Sequence, residues 1–191
     1  MNCSTQVRPR GSATTQQAIL TAARDQFAEH SYQDVSLRAI ARTAGVDVAL
    51  IARYFGSKED LFASALDSCE MATDLFTRPR ETFGIRVAEE LVFESKEGTK
   101  LQGARIMLNS LGSAKAAEIV HQSAESRFME PFAAWLGSDD ALVRTRVLAG
   151  VIMGMSVSRE LSSGFGPDDA GAMRLRDRLA TILQAIVDET D

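Results

Sequence analysis

Residues 36–58, SLRAIARTAGVDVALIARYFGSK, decide how the rest of the chain is read. Leu37, Ile40, Ala41 and Ala44 recur at the three- and four-residue spacing of one buried helix face. Ser36 stands just before them, where a hydroxyl accepts an orphan backbone N–H and starts a helix. Gly45 follows the last turn, where a positive φ is commonly required. Val46 plugs the corner, and Asp47 caps a third helix running through Ala49, Leu50, Ile51 and Arg53 to Phe55. Gly56 stops that helix, and Ser57-Lys58-Glu59-Asp60 reads as another capped start. A short helix, an Ala44-Gly45-Val46 corner and a second short helix have helix-turn-helix spacing. In that motif the first helix crosses the DNA backbone, and the N-terminal residues of the second reach base edges in the major groove. On spacing alone, the corner serves equally well to join two core helices of any helical protein.

Upstream, residues 1–13 hold Arg8, Pro9, Arg10, Gly11 and Ser12 without apolar periodicity, and read as a flexible arm. Thr14 with Gln17 has the pattern of a capping box, and Ile19, Ala23 and Phe27 mark a first helix to about Glu29. His30 to Asp34 break the pattern.

Taken together, residues 19–66 resemble the DNA-binding head of the TetR/AcrR family. The resemblance rests on Ala22-Ala23, Phe27, Tyr32, Val35, Ser36, Ile40-Ala41, Ala44-Gly45-Val46, Ile51, Phe55, Ser57-Lys58-Glu59 and Leu61. It covers about a quarter of the chain and implies a helical C-terminal domain and a two-fold dimer. It also implies a palindromic double-stranded DNA operator and release of DNA by a small ligand. Three positions depart from the family's pattern: Ser31 replaces its usual Gly, Ala52 its usual Tyr, and Tyr54 its usual His. The usual Tyr contacts the DNA backbone, so Ala52 removes one phosphate anchor and leaves open whether Tyr54 replaces it.

Candidate contacts follow from both sources. Val46, Ile51 and Phe55 have the spacing of residues packed on the second helix, which leaves Val48, Ala49, Leu50, Ala52 and Arg53 facing outward. Small apolar groups can meet thymine methyls, and Arg can pair with guanine or phosphate. Burial in the core is the other reading of Val48 and Leu50. Ser36 and Lys58 stand at helix N-termini, where backbone N–H groups and the helix dipole favour phosphate. The resemblance adds Arg38 as a base or phosphate contact, while Arg42 serves equally as part of a solvated face.

Charge is divided along the chain. Residues 1–58 carry seven basic against four acidic side chains, and the remainder fourteen against twenty-two, within a formal net charge of -5. A basic head on an acidic body suits phosphate at one end and solubility at the other. Cys3 and Cys69 match neither a disulfide framework nor metal-ligand spacing, and with only His30 and His121 besides, neither a metal nor a cofactor is expected. The N-terminal stretch has no apolar segment of a signal or anchor. The most apolar run, residues 147–157, is too short to span a bilayer, so a cytoplasmic protein without membrane partners is expected. His30 and His121 lack catalytic context, and neither GxxxxGK[ST] nor HExxH occurs, so no enzyme is expected.

The sequence therefore predicts an all-α chain of about nine helices. Residues 14–58 form a three-helix DNA-binding head with the helix-turn-helix, and residues 59–191 a helical effector-binding and dimerisation domain. Further helices are expected over about 59–73, 81–95 and 101–112, and in a long one after Ser113 kinked near Glu130 by Pro131. Ser138-Asp139-Asp140 caps the next, apolar nearly all round, where Gly150 and Gly154 let helices approach closely; Leu175, Leu179, Ile182 and Ile186 stripe the last. By resemblance these two pair with their symmetry mates in a homodimer's four-helix bundle, burial within one chain being the other reading. Phe93, Met107, Asn109, His121, Phe128, Trp135 and Met153 are candidate lining for the pocket of an unidentified small-molecule effector, although aromatics at helical spacing are commonly core. The function expected is a sequence-specific regulator, a ligand-released repressor. The alternative is an architectural or assembly helix-turn-helix protein without effector response.

Overall fold

The computed structural model describes residues 11–69, 78–93, 99–162 and 169–189. Nine helices and no strand occur among them: α1 (Ser12–Glu29), α2 (Leu37–Ala44), α3 (Val48–Phe55), α4 (Lys58–Asp67), α5 (Phe83–Phe93), α6 (Thr99–Ser110), α7, α8 (Ala141–Leu161) and α9 (Asp169–Asp188). A 3-10 turn, Arg80–Thr82, leads into α5. In α7, Ala114–Ala124, a π turn at Glu125–Met129 and Glu130–Leu136 follow one another without a break.

Local chemistry sets most of the ends. Ser36 Oγ accepts the Ala39 N–H at 3.1 Å, and Ser57 forms a reciprocal capping box with Asp60. Two expected caps differ. Helix α1 begins at Ser12 behind Gly11 with no side-chain cap, so Thr14 lies inside it. At α8, Asp140 is the N-cap, but its carboxylate turns to Ser138 and Arg144 instead of a backbone N–H. The expected extension of α4 to residue 73 and of α5 to residue 95 lies partly outside the described residues. Pro131 disturbs α7 as expected, but the disturbance takes the form of a widened turn. Proline has no N–H to offer the Arg127 carbonyl, and the N–H of Glu130, just before it, reaches back five residues to Glu125 O.

Two apolar cores organise the chain. The first joins Ile19, Phe27, Tyr32, Ile40 and Ile51 of the head to Leu61 and Phe62 of α4, Ile106 of α6 and Ala116 of α7. Phe62 meets both Phe27 and Tyr32 edge-on, with ring centroids 4.9 and 5.0 Å apart. The second gathers Phe83 and Val87 of α5, Phe132 and Leu136 of α7, Leu148 of α8 and Leu179, Leu183 and Val187 of α9. Helices α5 and α9 lie closest: the Gly84 N–H donates to Gln184 Oε1 at 2.8 Å, and Gln184 Nε2 donates to Arg80 O. Arg144, buried on α8, donates to Ile186 O and Val187 O, and Arg80 also reaches Val187 O, so two cations close the C-terminal end of α9.

The stretch Ala141–Arg159 of α8 has a mean hydropathy of 1.3 and is long and apolar enough, by composition, to cross a membrane. Arg144, Thr145, Ser156 and Arg159 are nevertheless buried along it, and Arg159 donates to Leu91 O of α5. Buried arginines bound to neighbouring helices mark that side as a packed protein face.

Candidate nucleic-acid interface

The corner between α2 and α3 is built by backbone hydrogen bonds. The Val46 N–H donates to Ala41 O at 3.0 Å and the Gly45 N–H to Arg42 O at 3.2 Å, the paired bonds of a Schellman ending. Gly45 holds φ 67°, the left-handed conformation this ending needs. Val46, half-buried, packs on the first core, and Asp47 Oδ1 accepts the Ala49 N–H at 2.8 Å to open α3. Fully buried Ile51 anchors the inner side of α3, with Phe55 packed beside it.

With that side fixed, the opposite side of α3 is determined. Val48 is 40% exposed, and Ala49, Ala52 and Arg53 are exposed. Leu50 is half-buried, as is Tyr54, which packs on the first core. The N-cap Ser36 and, on α2, Arg38 and Arg42 are exposed, and so is Thr43 at the end nearest the corner. Arg38, Arg42 and Arg53 thus place three guanidinium groups on the two helices that bear the exposed apolar residues.

Lys58 is engaged within the chain. Its ammonium donates to the Tyr32 backbone carbonyl and lies 4.3 Å from the centre of the Tyr32 ring. Burial lowers its pKa, opposed by Glu59 and Asp34. Tyr32 Oη donates to Glu59 Oε1 at 3.1 Å, and Lys115 of α7 meets the same oxygen at 2.9 Å. Lys115, with smaller contributions from a backbone hydrogen bond and Tyr32, holds the Glu59 carboxyl down at about 2. Burial, followed by the bond to Glu59, pushes the Tyr32 phenol up to about 12. This network ties the end of α1 to α4 and α7.

The seven pocket candidates fall in separate places. Met107 packs on the first core, and Phe128 and Trp135 on the second. Asn109 clamps the end of α1: its Nδ2 donates to Ala28 O at 2.8 Å and Phe27 O at 3.3 Å, while its backbone carbonyl accepts the Tyr32 N–H. His121 and Phe93 are exposed, and Met153 is half-buried on α8. The α9 stripe also divides. Leu179 is buried in its own chain's second core and Leu175 and Ile186 pack on that core, which leaves Ile182 open at 51%. Gly150 and Gly154 are exposed, with open space where a Cβ would stand. Within the protomer, the glycine at a close helix approach is Gly84.

Sequence reasoning passed over Arg127. From the π turn of α7, its guanidinium pairs with Asp67 at 3.1 Å and reaches Leu66 O at the end of α4, where Ser123 also holds Asp67. Arg24 of α1 reaches Ser68 O from the other side. Partners so far apart in sequence leave no periodic signal.

Residues 19–65 match the family described as bacterial regulatory proteins, tetR family, and residues 81–187 match the tetracyclin repressor-like C-terminal domain. No curated protein matches the chain. Among solved structures it is similar to NalD, the secondary repressor of the MexAB-OprM multidrug efflux pump in Pseudomonas aeruginosa. Identity is 22% and the TM-score 0.69, over 88% of this chain and 96% of that one. It is also similar to Salmonella enterica GusR, at 19% identity and TM-score 0.68 over 96% and 97%. A putative transcriptional regulator from Pseudomonas aeruginosa PAO1 aligns at 18% identity and TM-score 0.66 over 95% and 97%. At these identities the likeness concerns the fold. The matched families together span head and body, and the helix-turn-helix lies inside the first: the chain belongs to the TetR family of DNA-binding transcriptional regulators.

Proposed function

We propose that this regulator is a homodimeric, cytoplasmic repressor, without catalytic activity, that binds a palindromic operator and releases it when a small molecule binds the body. The observation that carries the DNA half of this reading is the α2–α3 corner. It turns Val48, Ala49, Ala52 and Arg53 outward beside the exposed Ser36, Arg38 and Arg42. Leu50 and Tyr54 flank that surface. Lys58 keeps two ammonium donors beyond the one given to Tyr32, enough to meet a phosphate from its place at the start of α4. The dimer half rests on α8, whose exposed Val143, Val147, Gly150, Gly154 and Leu161 line one helical stripe, with Ile182 exposed on α9. A contiguous exposed apolar stripe of this kind calls for a partner surface.

Selection of bound duplexes from a random-sequence pool by the full chain tests the operator reading. An enriched inverted repeat with strongly salt-dependent affinity is the expected result. Binding without any sequence preference would overturn it and favour the second reading, an architectural helix-turn-helix protein without effector response. The separate placement of the seven pocket candidates supports that alternative.

A further inference from the structure

Residues 48–52 of the recognition helix, Val-Ala-Leu-Ile-Ala, contain no side-chain hydrogen-bond donor or acceptor. They make up the first turn and more of α3, the part of such a helix that meets base edges. Ile51 is fully buried and Leu50 half-buried, so the groups available to a base are the side chains of Val48, Ala49 and Ala52. At the start of the helix, Asp47 already accepts the Ala49 N–H. Polar candidates stand at the borders of this run: Arg38 and Thr43 on α2, Asp47 at the N-cap, and Arg53 and Tyr54 past its end.

An apolar side chain cannot distinguish one pattern of donors and acceptors from another. In the major groove the one apolar group on a base edge is the C5 methyl of thymine. Small residues at positions 49 and 52 also let the helix axis come close to the floor of the groove. We infer that this protein reads its operator chiefly by packing Val48, Ala49 and Ala52 against thymine methyl groups, with Arg53 reading at the edge of that contact. This deepens the operator-binding reading and rests on it.

The test changes the DNA, so the protein's fold is untouched. The full chain selects its preferred duplex, and each thymine in one half-site is then replaced by uracil, which removes only the methyl group. Two or more central positions should each lose roughly three- to fourfold in affinity, the fold-change expected for one methyl-sized apolar contact. Val48→Thr exchanges a methyl for a hydroxyl on an exposed side chain of the same shape. It should shrink the uracil penalty at one position and leave the others in place. Retained sequence preference with every uracil tolerated would overturn the inference, because the site would then be read by arginine contacts or DNA shape. A selected half-site without a fixed thymine would overturn it equally. Failure to enrich any sequence would remove the operator reading itself, so the two failures are distinct.

Discussion

Gly84 carries no side chain where α5 meets α9, and a Cβ there would stand 2.2 Å from Ala180 O and 2.8 Å from Gln184. Glycine inside a helix ordinarily costs about 0.5–1 kcal/mol relative to alanine, so the exchange Gly84→Ala would stabilise an open helix. Here backbone would have to move, and overpacking costs roughly 1–3 kcal/mol. The clash wins, and chemical denaturation should find Gly84→Ala less stable than the parent. Lys58 poses a different question, because its ammonium has an internal partner and a position suited to phosphate. Lys58→Ala should lower the unfolding midpoint through the lost bond to Tyr32. It should also lessen the slope of log affinity against log salt by about 0.9 for each lost phosphate contact, and so by about 1.8 for a dimer that loses one per subunit. A lowered midpoint with the parental salt slope would assign Lys58 to the fold alone. Apart from Leu50, which is half-buried, the outward set on α3 was legible in the sequence because Ile51 and Phe55 fix which way the helix turns. The internal bond of Lys58 was not, since Tyr32 lies twenty-six residues away, on the far side of α2 and α3.

Helix α8 shows how far a periodic pattern reaches. Gly150 and Gly154 were expected at a close helix approach, and in the protomer both look onto open space. The Cβ added by Gly154→Leu therefore meets nothing among the described residues of its own chain, and the variant should leave helical content and unfolding cooperativity intact. On a two-fold interface the added side chain is met twice, so the variant should dissociate at concentrations where the parent is a dimer. Sedimentation velocity across a dilution series reads this directly; a dimer of parental affinity would place the interface away from Gly154. Periodicity identified α9 and the residues sharing its faces, but could not say what covers them. Leu179 shares with Leu183 and Val187 the face buried in its own core, and Ile182 faces outward. The π turn of α7 was legible only as a disturbance at Pro131. Its placement one turn earlier follows from the missing N–H, while the pairing of Arg127 with Asp67 follows from a neighbouring helix.

Across the whole molecule the head and the body share the first core, and the charges at their seam should make stability depend on pH. Glu59 is held at about 2 against an ordinary 4.5, so its folded state favours the ionised form. That contribution is complete above about pH 4.5 and is lost as pH falls towards 2. The stability gap between the parent and Glu59→Gln should accordingly narrow over this interval. A gap that stayed constant would remove the Lys115 and Tyr32 contacts as its source. The same seam bears on how such a protein can be rebuilt. A chimera made by grafting only residues 1–58 onto a foreign body would carry Ile19, Phe27, Tyr32 and Ile51 without Leu61, Phe62, Ile106 and Ala116 to cover them. Asn109 would no longer hold the end of α1, and Tyr32 would lose Glu59 together with the Lys115 that pairs with it. Exchange of DNA specificity between relatives is therefore more workable by repainting the outer side of α3 in place than by transplanting the head as a cassette.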